Sequence, residues 1–122
     1  MNLSSSFDEP ARLLTIHYAG EPSLEEWKAA MLAAMSDPRF GPGIKLLLDR
    51  RLVGTPSSDF VHGVSDFVSL HQAALSQCRA AILVGGKGAY GMARMGQALL
   101  TFHGVEFEIL ESTTALEEWL RR

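Results

Sequence analysis

A single cysteine, Cys78, stands among the 122 residues, so no disulfide can form within the chain. That usage suits a reducing compartment, and the expected location is the cytoplasm. No apolar run reaches the roughly 20 residues that a membrane helix requires, so no integral membrane segment is expected. The opening residues MNLSSSF carry neither the basic region nor the apolar core of a secretory leader. Lysine and arginine number 11 against 14 acidic residues, a net charge of −3 with the two signs interspersed. No basic block or stripe is present to attract a phosphate backbone, which argues against nucleic acid as a partner.

What is present is an ordinary globular composition, with 47% hydrophobic and 20% charged residues. One domain over residues 1–122 is expected, long enough to bury roughly 65–70% of its unfolded surface. Its organising stretch is Arg79 to Met95, RAAILVGGKGAYGMARM. A short apolar run from Ala80 to Val84 reads as a strand buried on both faces, followed by a glycine turn and a helix from about residue 89 to 103. Strand, turn and helix recur on either side. Arg12 to Tyr18 alternates as a half-buried strand, Ile44 to Leu48 is a second buried strand ending at Asp49, and Val105 to Leu110 alternates again. Ser23 and Glu26 form a capping box before a helix over about 24–36 that carries Leu24, Trp27, Met31 and Met35 on one stripe. Ser57 or Ser58 caps a helix running to Leu75, and Ser112, Thr113 or Thr114 caps a last one with Leu116, Trp119 and Leu120. Residues 1–11 are polar, and serve as a short edge strand over Leu3–Phe7 or as a flexible lead-in.

The expected fold is therefore α/β, a single-domain, mainly parallel sheet of four to five strands with four helices. Right-handed crossovers follow from its β-α order. The helix over 58–75 is unusual. Phe60, Val61, Val64, Phe67, Val68, Leu70 and Leu75 cover about half its cylinder, more than the ~100° arc that packing on one layer needs. His71 falls within that arc as a core or interface histidine, while His62, Ser65, Asp66, Ser69 and Gln72 fill the polar half. That surplus motivates an interface at Phe60, Val64, Phe67, Val68 and His71, with a second copy or another protein as partner.

Gly86 to Gly91 fits G-x-G-x-x-G after a strand, and Glu106 lies where a ribose-binding acid is expected. A dinucleotide fold places that motif in its first βα turn, however, whereas here it falls in the third unit. Glycines serving a tight turn explain it better, and no cofactor is expected. The same segment is a candidate anion or small-ligand site. Gly86, Lys87 and Gly88 supply the loop, Tyr90 and Arg94 the first turns of the helix, and Asp49 the neighbouring strand end. Ser57, Ser58, His62, Asp59 and Asp66 contain the atoms of a nucleophile triad but lack the G-x-S-x-G elbow, so helix capping is their expected work and no catalytic residue is assigned. His17, His62, His71 and His103 form no ligand pair at metal-binding spacing, and no metal is expected.

Several stretches carry a resemblance to one known superfamily. They are the strand pattern of Arg79, Ala81 and Val84, the run Tyr90-Gly91-Met92-Ala93-Arg94-Met95, the V-E-F-E-I strand, the closing A-L-E-E-W-L, and K-L-L-L-D ending at Asp49. Over about residues 12–121 the chain resembles the SpoIIAA-like superfamily of STAS and STAS/SEC14-type bacterial domains. The resemblance implies a βα superhelical sheet without cofactor, and a non-enzymatic regulatory module that binds partner proteins. It also implies phosphorylation of a serine where Ser57 and Ser58 stand, although Thr55-Pro56-Ser57-Ser58-Asp59-Phe60 departs from the D-S-S-G pattern of anti-sigma antagonists. The alternative from a different class is a binder of a small apolar or anionic ligand, or an enzyme, working at the 85–94 loop.

Overall fold

Parallel strands cannot be joined by tight turns, and this chain provides a long crossover wherever two parallel neighbours must pair. The computed structural model describes residues 2–122, apart from the Lys87 side chain. Its strands β1 (Leu3–Asp8), β2 (Leu13–Tyr18), β3 (Lys45–Asp49), β4 (Arg79–Leu83) and β5 (Glu106–Leu110) lie in one sheet in chain order. β1 runs antiparallel to β2, and the remaining pairs are parallel. The lead-in is therefore an edge strand. A tight turn joins it to β2, with Arg12 at φ +52° donating its N–H to the Glu9 carbonyl at 3.0 Å.

Five helices accompany the sheet: α1 (Leu24–Met35), α2 (Ser58–Leu70), α3 (Gln72–Leu75), α4 (Lys87–Phe102) and α5 (Thr113–Arg121). Four were expected, because the 58–75 segment reads as one helix. It breaks at His71, whose φ of −114° and ψ of 25° end α2 before α3 begins. The bend leaves Leu70 exposed and sets Leu75 into the core beside Leu46 and Ala80. Ser23, Ser57 and Ser112 each accept a backbone N–H at a helix start, at 3.1 Å in every case. Only half of the Ser23–Glu26 capping box forms, since the Glu26 carboxylate instead accepts from the N–H and side-chain amide of Asn2, at 3.0 and 3.1 Å. That ties the start of β1 to α1.

Strand periodicity sorts the side chains onto two faces. Leu14, Ile16, Tyr18, Leu46, Leu48, Ala80, Ile82 and Phe107 point to a front face covered by Trp27 and Met31 of α1, Phe67 and Val68 of α2, and Ala89, Ala93 and Leu100 of α4. Leu47, Ala81, Leu83 and Leu110 point to a back face covered by Trp119, Ala115 and Leu116 of α5. The Lys45 ammonium, buried on that face, donates to the Trp119 and Leu120 carbonyls at 3.1 and 2.7 Å and so satisfies the end of α5.

α2 sits between α1 and α4, above the sheet, and its broad apolar arc meets all three. Phe67 and Val68 are buried within the chain, Phe60 and Val64 are half-buried, and the Trp27 ring meets Phe60 and Phe67 edge-on at 6.3 and 5.2 Å between centroids. His71, half-buried at the end of α2, lies 4.4 Å from the Phe67 ring. Helices on either side thus take up Phe67 and Val68 of the apolar surplus, while Phe60, Val64 and His71 stay half-buried and Leu70 exposed. Gly63 faces α1, where a Cβ would meet the end of the Leu24 side chain, which would have to turn aside.

Candidate functional site

The site begins with Tyr18, the last residue of β2, which period-two alternation places on the front face. The parallel register sets His17 beside Asp49, so the next residue along, Arg50, comes to lie against Tyr18. Arg50 donates its N–H to the Leu83 carbonyl at 2.9 Å, which holds the chain in line beyond the strand end. Its guanidinium stands 4.8 Å from the centre of the Tyr18 ring and is only 3% exposed. One guanidinium nitrogen donates to both Glu21 carboxylate oxygens, at 2.9 and 2.7 Å, and to the Gly54 carbonyl at 3.2 Å. A buried cation needs such a partner to be tolerated.

The Tyr18 hydroxyl accepts from Trp27 Nε1 at 2.9 Å. Burial pushes its pKa up to about 12, against a smaller downward pull from the Arg50 charge and from these hydrogen bonds. Trp27 is in turn fixed by its edge-on contacts with α2. Tyrosine, tryptophan and arginine, drawn from β2, α1 and the β3 exit, therefore make one rigid corner under α2.

That corner opens onto a cavity of about 70 Å³ between α2 and α4. Leu48, Ile82 and Phe107 floor it, and Phe60, Val61, Val64, Met92 and Ala93 wall it. Its polar members are Tyr18, Arg50 and Ser65. Gly96 also lines it, and a Cβ at that position would be 3.6 Å from Val61, an ordinary contact. A second space of about 30 Å³ shares Trp27, Leu48, Val64, Leu100 and Phe107 as walls, and continues towards Leu75 and Cys78. Burial raises the Cys78 thiol to about 11, so the thiolate is scarce at neutral pH. The two spaces are separate but share those five walls, and together they make an apolar trough in two parts under α2.

The residues that sequence alone proposes as a ligand site are not gathered there. Asp49 points to the back face, where the Arg51 guanidinium engages it bidentately at 3.1 and 2.9 Å; that hydrogen bonding holds its carboxyl below the usual carboxylate range. Gly86 caps α4 without a side-chain hydrogen bond, and Gly88 lies in its first turn, where a Cβ would stand 2.9 Å from Thr55 Oγ1. Tyr90 is half-buried against the front core. Arg94 is exposed and donates to Gln97 Oε1 at 3.1 Å, and the Lys87 side chain lies outside the described residues. Ser57 and Ser58 stand exposed at the start of α2, with the Ser57 hydroxyl used as its cap.

Tyr18, Trp27, Arg50 and Ser65 are the residues sequence reasoning missed. Arg50 had a usable signal, as the residue after a buried strand whose Asp49 faces away. Ser65 had none, because its spacing puts it among the polar residues of α2. It is buried all the same, since α4 covers that side of the helix. In comparisons with known protein families, curated proteins and solved structures, the chain matches no family model, no curated protein and no solved structure.

Proposed function

We propose that this protein is a small-molecule-binding module that holds a compact apolar ligand in the trough between α2 and α4. The observation carrying this reading is an apolar cavity at the carboxyl ends of parallel strands, with a few buried polar groups at one end. Open α/β sheets place ligands at those strand ends, and small-molecule sites combine apolar walls with sparse polar groups. About 70 Å³ suits a molecule of a few heavy atoms, or the end of a longer one. Among the described residues, no carboxylate or imidazole lines the cavity, which favours binding over acid–base chemistry. The chain-order sheet supports a βα superhelical, SpoIIAA-like reading of the fold. Association through α2, the regulatory mode that such a resemblance implies, has less support, since Phe67 and Val68 already face the chain's own core.

The test uses the Trp27 indole N–H, which borders both spaces and reports on them by proton–nitrogen correlation NMR. Xenon and 2-methyl-1-pentene are expected to shift that resonance saturably. Ala93→Leu, which fills the cavity from α4, is expected to abolish the shift. An unmoved Trp27 signal at the solubility limit of both probes, or an unchanged response in Ala93→Leu, removes the reading.

A further inference from the structure

The polar end of the trough has an unbalanced hydrogen-bond inventory. Tyr18 oxygen accepts from Trp27 Nε1, a group that can only donate. The Tyr18 hydroxyl proton must therefore go elsewhere, and among the described residues no protein atom accepts it. Ser65, 6% exposed, lines the same cavity, and its hydroxyl stands open to that space, since among the described residues no fully enclosed side-chain nitrogen or oxygen lacks a hydrogen-bond partner. The third polar lining residue, Arg50, is a donor without acceptor capacity. Each of these side chains thus has hydrogen-bond donors to offer, and the other lining residues are apolar apart from their backbone.

Charge narrows the choice. Arg50 is paired with Glu21 through both carboxylate oxygens, so its positive charge is compensated before any ligand enters. A carboxylate entering the trough would be a buried anion without a free counter-charge, which is strongly disfavoured. An uncharged oxygen acceptor meets no such penalty and takes up the orphan protons.

Resting on the ligand-binding reading above, we infer that the trough selects uncharged carbonyl compounds with a short apolar chain. Ketones, aldehydes and small esters or lactones belong to this class. The carbonyl oxygen accepts from Tyr18 and Ser65, and the chain lies beneath α2 towards Val64 and Leu100.

Three probes of one shape test this: 2-pentanone, its hydrocarbon isostere 2-methyl-1-pentene, and butyrate, each titrated against the Trp27 indole N–H. 2-Pentanone is expected to bind about tenfold more tightly than the hydrocarbon, because the latter leaves buried donors unpaired. Butyrate is expected to be the weakest. In Ser65→Ala and in Tyr18→Phe, each of which removes one of the two donors, the ketone's advantage over the hydrocarbon is expected to shrink to about threefold or less, and in the double variant to disappear. Ser65→Ala carries the test if Tyr18→Phe fails to fold. Equal affinities of the wild type for ketone and hydrocarbon, or a ratio undiminished in Ser65→Ala, would overturn the inference and leave the cavity a plain apolar site. Butyrate binding most tightly would overturn the requirement for an uncharged ligand. No response to any of the three would remove the ligand-binding reading itself.

Discussion

The same five strands meet two different surroundings. On the front, three helices roof the sheet, and the polar groups beneath them are tied into fixed pairs, Trp27 to Tyr18 and Arg50 to Glu21. On the back, α5 alone covers β3, β4 and β5, while Ser4, Ser6 and His17 of the first two strands stay exposed, with Ser6 Oγ 3.1 Å from His17 Nε2. On the roofed face a hydroxyl has only the narrow cavity beside it from which to draw a partner, whereas on the open face bulk water completes whatever the protein leaves unmade. That difference is why the proposed site is placed at the two hydroxyls of the front trough and not at the serines of the back.

The largest effect is expected on the back face, which depends on one aromatic anchor. Trp119→Ala removes a fully buried ring and the packing of α5 along with it, at a cost of about 3–5 kcal/mol in chemical denaturation. A loss below about 1 kcal/mol would show that α5 contributes little and that the contrast between the faces is overdrawn.

Alkali separates the faces by sign. Tyr18 has its folded pKa raised from 10.0 to about 12, so the folded protein keeps a proton that the unfolded chain releases. Its contribution is complete below pH 10 and is lost as pH rises to 12, a fall of about 3 kcal/mol. Lys45, on the back, has its pKa lowered from 10.5, chiefly by burial and then by Arg79 and Arg122. The unfolded chain then binds the extra proton, so the cost of carrying that ammonium in the folded state is relieved as pH climbs towards 10.5. Stability measured from pH 9 to 12 should therefore fall mainly beyond pH 10. The gap between wild type and Tyr18→Phe, set at neutral pH by the acceptor that Trp27 loses, should narrow over the same range. A constant gap would mean that Tyr18 titrates as it does in water.

The smallest effect sharpens the front face alone. Gly96→Ala fits beside Val61 and removes a flexible residue from α4, so thermal unfolding is expected to report a gain of about 0.5–1 kcal/mol. The same methyl narrows the cavity and should weaken every probe at Trp27. A gain in stability with undiminished binding would place the ligand elsewhere.

Most of the scaffold is legible from local pattern, because alternation, capping serines and the Pro38–Gly43 cluster each act within a few residues. The break at His71 is not, since neither glycine nor proline marks it and the apolar spacing runs on towards Leu75. The site was hidden for a different reason. Tyr18 and Arg50 are 32 positions apart and meet only through the parallel register of β2 and β3. Within the strand, a step of one residue decides the face, and it sends Asp49 to the back while Arg50 meets the Tyr18 ring at the front. Ser65 was misplaced because a helical wheel records the helix's own faces and not the neighbour that covers one of them.

The order of the sheet bears on how the molecule is made. No later strand has to push between two earlier ones, so a chain leaving the ribosome can lay down its layers in the sequence of synthesis. Each newly added strand is for a time the unprotected rim of the growing sheet, until the following crossover brings the next one alongside. α5, with Trp119, is made after all five strands and covers the side that has stayed bare until then. Losing the last ten residues would therefore leave a nearly finished sheet with an oily underside, a form prone to stick to its own kind.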